Sequence, residues 1–307
     1  MNEIIRTEHL TKQYREVTAV SDLSISVGKG EIYGFLGLNG AGKTTTIRML
    51  LGMISATSGK AYINGKAVSS GNTDLWEEIG YLVEIPYAYP DLTVKENLEI
   101  FRRMRGLNDK QAVASIIDRL KLSPYAGRKA RQLSLGNAQR LGLAKALMHN
   151  PRILILDEPA NGLDPAGIYE IREMLADLAH NQGVTVFISS HILGEISRVA
   201  SRIGIIHEGK LVTELGTAQL ESLFRKQLLA GTCDNTAAAA VLEGAGINHT
   251  LSEEGELLIT RPDLLAHPEQ LTLLLTAKGL PPVKLSVVEE DLESFFLRTI
   301  GLKKIPS

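Results

Sequence analysis

The order of apolar and polar positions divides most of the chain into three stretches. Short apolar runs alternate with turns over about residues 1–85, as in EIYGFL at residues 31–36, which predicts strands. From about 87–150 the apolar positions recur at helical spacing, beginning at LTVKENLEIFRRMRG. Strand-like and helix-like runs alternate again over about 151–218, ending in IGIIHEGKLV, a predicted hairpin with a Glu-Gly turn. The pattern predicts an α/β domain with a helical insert.

The tail, residues 225–307, has a pattern of its own. LLAGT, TAAAAVLEGAG, NHTLSEEGELLIT, PEQLTLLLTAKG and PVKLSVVEE read as β-α-β-β-α-β, and DLESFFLRTIG adds a last helix. This order predicts a small α+β, ferredoxin-like C-terminal domain. It contains no catalytic constellation, so we expect a role in dimer contact or regulation, with a passive cap as the alternative.

The strongest chemical signal is GLNGAGKTT at residues 37–45, between a strand-like run and a helix-like run. Its three glycines predict positive φ angles, which let backbone N–H groups converge on phosphate oxygens. Lys43 adds positive charge for the β- and γ-phosphates, and the Thr44 hydroxyl can ligate Mg²⁺. A helix starting near Gly42 directs its positive end at the same anion. The residues predicted to bind ATP here are Gly37, Asn39, Gly40, Ala41, Gly42, Lys43, Thr44 and Thr45.

A second chemical signal is ILILDEP at residues 153–159. Its aliphatic run predicts a strand buried on both faces of a parallel sheet, ending beside the phosphate-binding loop. Asp157 is predicted to hold Mg²⁺, and Glu158 to polarise the water that attacks the γ-phosphorus. The alternative is a solvated acidic turn at a strand end.

The segment LSLGNAQR, residues 133–140, is a third phosphate-directed signal. Ser134 can open a helix, and Gly136 can offer an exposed N–H to an anion. Taken alone, Ser134 could equally be an ordinary helix N-cap.

Together these motifs resemble those of the ATP-binding subunits of ABC transporters. LSLGN resembles their signature motif, NGLD at 161–164 resembles their D-loop, and the resemblance covers about residues 1–218. It implies a P-loop ABC ATPase domain with a RecA-like core and with antiparallel β and helical subdomains. It also implies that Ser134 and Gly136 close over ATP held by the opposite subunit of a homodimer, and that Asp164 adds to the nucleotide site.

The resemblance assigns roles to three further positions. Tyr14 matches the aromatic residue that stacks on adenine, and a half-buried strand tyrosine is the alternative. His191 matches the histidine that contacts the γ-phosphate and joins Glu158 and Lys43 as a predicted catalytic residue. Glu84 stands where the family usually has its Q-loop glutamine, so we expect its carboxylate to bind the metal with Thr44 and Asp157, or to repel the γ-phosphate if unligated.

Glu84 and LSLG also resemble the branch of the family that acts on lantibiotics and bacitracin. We therefore predict an ATP-hydrolysing subunit of an exporter of peptide antibiotics. The alternatives are an exporter of a drug, lipid or polysaccharide, a soluble ABC protein that clamps a ribosome or DNA, and a P-loop kinase or GTPase. The segment YAYPDLTV, residues 87–94, is a candidate docking surface, with a plain aromatic loop as its alternative.

Composition bears on partners and location. The 307 residues, 44% hydrophobic and 22% charged, suffice for a full domain core plus a smaller one. A net charge of -2 argues against broad nucleic-acid binding, and the single Cys233 permits no internal disulfide. The start MNEIIRTEHL has no apolar signal core, and no run reaches the ~18 to 20 apolar residues of a membrane span. We expect a cytoplasmic protein, peripheral on the cytoplasmic face of the plasma membrane, below a permease made by a separate chain.

Overall fold

The computed structural model describes residues 3–69, 75–84, 87–252, 254–290 and 292–302. They form two compact units, residues 1–218 and 219–307. The domains predicted from the sequence, 1–218 and 225–307, differ from these units in the assignment of residues 219–224. The outermost parts of the predicted domains, residues 1–2 and 303–307, lie outside the described residues.

The first unit contains strands in two sheets, with helices around them. Its described strands are β1 (Glu3–Tyr14), β2 (Val17–Leu23), β3 (Ser26–Gly28), β4 (Ile32–Leu36), β5 (Ser58–Ile63), β6 (Lys66–Ala67), β7 (Ile79–Leu82), β8 (Ile153–Asp157), β9 (Thr185–Ser190), β10 (Arg202–His207) and β11 (Lys210–Gly216). Its described helices are α1 (Lys43–Leu50), α2 (Leu75–Glu78), α3 (Val94–Met104), α4 (Ala112–Arg119), α5 (Leu135–Leu147), α6 (Pro165–His180) and α7 (Leu193–Ile196).

The larger sheet has the order β11-β10-β4-β9-β8-β7 across the described residues. All its neighbours are parallel except β10 and β11, which form the predicted hairpin. The turn residues Glu208 and Gly209 of that hairpin both have positive φ angles, of 47° and 77°. Strands β4, β8 and β9 are buried along their whole length. Because parallel strands share their direction, the loops after β4, β7, β8 and β9 leave the same edge of the sheet.

The smaller sheet is antiparallel, with the order β2-β1-β5-β6 and β3 paired to β1. Its inner face shares a core with the larger sheet, where the rings of Tyr33 and Phe187 stack 5.6 Å apart. Helices α3, α4 and α5 form the insert between β7 and β8. A capping box starts α3: Thr93 Oγ1 accepts from the Glu96 backbone N–H, and the Glu96 carboxylate accepts from the Thr93 N–H.

The second unit is a four-stranded antiparallel sheet with helices, in which β12 (Lys226–Gly231) and β14 (Leu257–Ile259) are central. The edge strands are β13 (His249–Leu251) and β15 (Lys284–Glu289), giving the order β13-β14-β12-β15. The helices are α8 (Asn235–Gly244), α9 (Pro262–Ala266), α10 (Pro268–Ala277) and α11 (Leu292–Thr299).

The order of strands confirms the predicted ferredoxin-like fold of the tail. Helix α9, which the sequence pattern did not predict, is a single extra turn ending before Pro268. Leucines from the sheet and from α8 and α10 make the core. Across the part of the chain that the structure describes, no helix combines the length and apolar character needed to span a bilayer.

Candidate nucleotide-binding site

The phosphate-binding loop connects β4 to α1. Gly40 and Gly42 have positive φ angles of 81° and 107°, as predicted, and Gly42 is the N-cap of α1. The prediction is wrong for Gly37, which lies outside the positive-φ region. Glycine is needed there for another reason: a Cβ atom would lie 2.6 Å from the Ile206 carbonyl oxygen of β10. The requirement is therefore close backbone approach rather than backbone conformation.

Lys43 begins α1 and is almost completely buried, with 6% of its surface exposed. Its Nζ donates to the carbonyl oxygens of Gly37 at 2.7 Å and Leu38 at 3.2 Å. The same Nζ lies 3.2 Å from Glu158 Oε1. The ammonium group is thus held within the loop by three oxygens, because a charge buried this deeply requires hydrogen-bonded partners.

Asp157 ends β8 and lies against the phosphate-binding loop, as predicted. Its Oδ2 accepts a 2.7 Å hydrogen bond from Thr44 Oγ1, and its Oδ1 accepts a 2.5 Å hydrogen bond from Ser189 Oγ on the neighbouring β9. The carboxylate is buried, with 3% exposed. Thr44 and Asp157 therefore place two oxygen ligands of the kind that Mg²⁺ prefers at one point.

Glu158 follows β8 with a positive φ of 49°. Its Oε1 faces Lys43, and its Oε2 lies 2.8 Å from His191 Nδ1. Its N–H donates to Ser189 Oγ, and its carbonyl oxygen accepts from Gln139 Nε2 at 3.0 Å. A non-glycine residue in this conformation carries strain that its surroundings offset, which is common at functional sites.

Two of these contact residues, Ser189 and Gln139, were not predicted from the sequence. Both are buried, at 0% and 3% exposure. Ser189 stands two positions before His191 in the run VTVFISSH, and a polar residue ending so apolar a strand is the signal that could have identified it. Gln139 lies inside the helical run of α5, where one buried polar residue gives no such signal.

Tyr14 and Glu84 contact side chains other than those of the phosphate-binding loop and β8. The Tyr14 ring is 45% exposed, and Lys12 Nζ lies 4.9 Å from its centroid. Glu84, two residues after β7, has a positive φ of 56°, and its Oε1 pairs with Arg48 Nη2 of α1 at 2.5 Å. The predicted adenine and metal contacts of these two residues stay predictions.

The start of α5 is a second helix N-terminus with an exposed serine. Ser134 Oγ accepts from the Asn137 backbone N–H at 3.3 Å, so Ser134 is the N-cap. A Cβ atom at Gly136 would lie 3.0 Å from the Gly162 carbonyl oxygen, so this helix packs closely on the NGLD segment. Asp164 caps α6, accepting from the Gly167 N–H at 2.9 Å. The structure therefore gives Ser134 and Asp164 local capping roles, and their predicted contacts to ATP stay predictions.

One more acidic residue, Glu195 of α7, lies near the site. Burial raises the pKa of its carboxyl group above the usual value, and the negative charge of Glu158 adds to the rise. The charge of His191 and a hydrogen bond with Ser190 act in the opposite direction. A carboxyl group with a raised pKa gives this edge of the sheet a group that holds a proton more readily than an exposed glutamate.

Comparison with known proteins agrees with this geometry. The family model described as ABC transporter matches residues 20–161. The bacitracin transport ATP-binding protein BcrA of Bacillus licheniformis is 41% identical over 301 residues, which cover 98% of this chain and 98% of that protein. The lantibiotic transport ATP-binding protein SrtF of Streptococcus pyogenes is 38% identical over 229 residues, 74% of this chain and 98% of that protein.

This chain belongs to the ABC transporter family. A solved structure of the ATP-binding subunit of an ABC transporter has a TM-score of 0.65 and 26% identity, covering 71% of this chain and 92% of that one. The dimeric structure of the bacterial ABC transporter cassette MJ0796 has a TM-score of 0.65 and 25% identity, covering 70% and 99%. The predicted P-loop ABC ATPase fold is confirmed, and the chain is a nucleotide-binding, ATP-hydrolysing member of this family.

Proposed function

We propose that this ABC ATPase powers the export of peptide antibiotics of the bacitracin and lantibiotic type. The observation that carries the proposal is the reach of the similarity to the bacitracin transport protein of Bacillus licheniformis. That similarity covers 98% of this chain, so it extends over the second unit as well as the ATPase unit. A shared ATPase unit alone is compatible with many cargoes. Similarity that also includes the second unit is a more specific indication of a shared cargo than similarity of the ATPase unit alone.

In the proposed mechanism, the phosphate-binding loop holds the triphosphate and Lys43 neutralises its β- and γ-phosphates. Glu158 orients and polarises the attacking water, while His191, 2.8 Å away, fixes the carboxylate and contacts the γ-phosphate. The loop N–H groups and the Lys43 ammonium are in place before charge develops, which is how such sites stabilise a transition state.

Magnesium fits the residues present. Thr44 Oγ1 and Asp157 Oδ2 are oxygen ligands 2.7 Å apart, and an ion that keeps several waters needs few protein ligands. Among the described residues no group of three His, Cys, Asp or Glu side chains could hold a metal ion. When bound, Mg²⁺ would be held by Thr44 and Asp157 and would supply positive charge against the negative charge of the phosphates.

The proposed partners are a second copy of this chain and a membrane permease. In the dimer, Ser134 and Gly136 would close over ATP held by the opposite subunit, and Asp164 would lie at the same junction. The dimeric cassette structure at 25% identity supports this arrangement. The protein would then work in the cytoplasm at the cytoplasmic face of the plasma membrane, beneath its permease. We propose no nucleic-acid partner, since the net charge is -2.

The surface proposed for the permease is a cavity of about 280 Å³ between the strands and the helical insert. Tyr87 and Tyr89 lie at its mouth with their rings 5.6 Å apart, and Tyr87 is 75% exposed. Phe101 and Met104 of α3 add apolar surface. Exposed aromatic residues around a cavity are typical of surfaces that bind other proteins. Tyr87 and Tyr89 of the predicted docking segment line this cavity, which supports the proposal.

Resistance assays test the proposal. Expression with the cognate permease in a susceptible host should raise the concentrations of bacitracin and of a lantibiotic that inhibit growth. The matched Glu158→Gln variant should give no protection, because folding is kept while hydrolysis is lost. A non-peptide drug serves as the comparison substrate. Protection against that drug but against neither peptide would contradict the proposed cargo while leaving the ATPase assignment intact.

A further inference from the structure

The ion pair between Arg48 and Glu84 lies beside the nucleotide site and has no assigned role. Arg48 is in the last turn of α1, the helix that begins with the phosphate-binding Lys43. Glu84 follows β7, 36 residues further along the chain. Their side chains are 37% and 56% exposed, so the pair is only partly shielded from water.

Strand register shows where Glu84 lies relative to the site. Strands β7 and β8 are parallel, and Leu82 is opposite Leu156. Glu84 is two residues past Leu82, as Glu158 is two residues past Leu156. Neighbouring strands are about 4.8 Å apart, so Glu84 leaves the same sheet edge as the acidic pair at the end of β8.

Helix periodicity places Arg48 on the face of α1 that is turned towards this edge of the sheet. It is four residues after Thr44 and therefore on the same face of α1. Thr44 Oγ1 donates to Asp157, so this face of the helix is turned towards the acidic edge of the sheet. The guanidinium group of Arg48 thus joins α1 to the segment that leads into the helical insert.

Three of the acidic side chains at this edge have hydrogen-bond or ion-pair partners. Asp157 accepts from two hydroxyl groups, and Glu158 faces Lys43 and His191. Glu84 is paired with Arg48. Loss of Arg48 would leave one carboxylate without its cation at the edge of the sheet where a polyanion binds, and like charges in such a position repel. A neutral amide at position 84 would not need this counter-ion.

We propose that Arg48 is a positioning residue that neutralises Glu84 and holds its carboxylate against α1. Its contribution is therefore to the binding of MgATP rather than to the chemical step. The inference rests on MgATP binding at the phosphate-binding loop and is independent of the exported cargo.

A double-mutant cycle on the full chain tests it. In Arg48→Ala we expect the KM for MgATP to rise about five- to tenfold at low salt, with kcat changed by less than about twofold. In the Glu84→Gln background the same substitution should change KM by less than about twofold, because no carboxylate is left to neutralise. Arg48→Lys, which keeps the charge, should retain most of the wild-type affinity.

Two controls separate this role from a structural one. Lys226→Ala breaks an exposed 3.0 Å ion pair with Glu289 in the second unit and should leave KM unchanged. The Arg48→Ala penalty should also shrink as ionic strength rises, whereas a packing defect would not respond to salt. An equal rise in KM with and without Glu84 would overturn the proposal. So would an unchanged KM in Arg48→Ala with its melting temperature intact.

Discussion

The two units of this protein bury different kinds of side chain. Among the described residues, the polar residues that are buried as a whole lie in the first unit; in the second unit the Glu290 side chain, 3% exposed, is paired with Arg298 at 2.7 Å. The buried polar residues of the first unit are Thr7, Lys43, Thr46, Asn97, Gln139, Asp157, Thr185, Ser189 and Ser190. The core of the second unit is built from leucine, isoleucine and alanine.

The first unit thus buries polar side chains at its nucleotide site, whereas the core of the second unit is mainly apolar. Buried polar groups destabilise a fold unless each is hydrogen-bonded. The first unit buries such groups in hydrogen-bonded positions, and a preorganised charged site of this kind can stabilise a transition state. Four predictions test this contrast.

The largest effect is expected at the carboxylate between Lys43 and His191. Glu158→Gln should lower ATP turnover by about 10²- to 10⁴-fold, because the general base is lost while the shape of the side chain is kept. Phosphate release by the purified protein measures it, and thermal unfolding should show a folded protein. Glu289→Gln, an exposed glutamate of the second unit, is the matched control and should not change turnover. Retained turnover in Glu158→Gln would move the base to another residue.

A core substitution in the second unit should lower stability and leave ATP turnover unchanged. Leu242→Ala removes a fully buried side chain of α8 and should destabilise that unit by about 2 to 5 kcal/mol. ATP turnover below the unfolding transition should be unchanged. Urea unfolding and phosphate release, compared with the 70% exposed Leu273→Ala, check both statements. If Leu242→Ala abolished turnover in a folded protein, the two units would not be separable in function.

Replacing Ser189, a buried polar residue of the first unit, should lower ATP turnover less than replacing Glu158. Ser189→Ala removes the 2.5 Å hydrogen bond to Asp157 and the side-chain acceptor for the Glu158 N–H, which keeps the Ser189 carbonyl oxygen as its other acceptor. Hydrogen bonds to charged groups contribute about 1.5 to 3 kcal/mol, so turnover should fall about tenfold or more. Ser201→Ala, which removes a hydrogen bond to the Ile32 carbonyl oxygen, is the control. Equal effects of both changes would show that Ser189 acts on stability only.

The smallest effect concerns pH. Burial, and then the charge of Arg105, lower the pKa of His149 from 6.5 to about 4. Its Nδ1 is buried without a hydrogen-bond partner among the described residues. The folded state binds the proton more weakly than the unfolded state, so stability is complete above about pH 6.5 and is lost as pH falls towards about 4.

Replacing His149 should remove this dependence. His149→Gln can still donate to the Ile79 carbonyl oxygen but does not titrate. Between about pH 7.5 and about pH 5, its free energy of unfolding should decline by about 1 kcal/mol less than that of the wild type, after discounting for partial exposure. Urea unfolding at the two pH values measures this, with the exposed His267→Gln as control. Parallel declines in wild type and variant would contradict the assignment.

The sequence was enough to predict those elements whose conformation depends on neighbouring residues in the chain. The phosphate-binding loop, the buried strand β8 and the Glu-Gly hairpin turn each depend on a few consecutive residues. The two-layer tail was also predictable, because its apolar periods change from strand-like to helix-like and back. In the tail only the short helix α9 was missed; it ends at Ala266, and His267 alone separates it from α10, which begins at Pro268.

The rest depends on contacts between distant positions. Gly37 needs its missing side chain because of Ile206, which lies 169 residues away in sequence but 2.6 Å from where a Cβ would be. Ser189 and Asp157 meet only because β9 pairs with β8. No local pattern identifies Arg48 as the partner of Glu84. Such residues are found once strand order and register are known.

One buried side chain of α3 fixes the segment that carries Tyr89, beside the surface proposed for the permease. Asn97, 1% exposed, accepts from the Tyr89 N–H and donates to the carbonyl oxygens of Tyr89, Leu92 and Thr93. The wall of the cavity is therefore clamped to α3 rather than carried on a free loop. A docked partner that displaced Tyr89 would therefore also displace α3. Through this connection, movement of the permease and movement of the helical insert would be coupled.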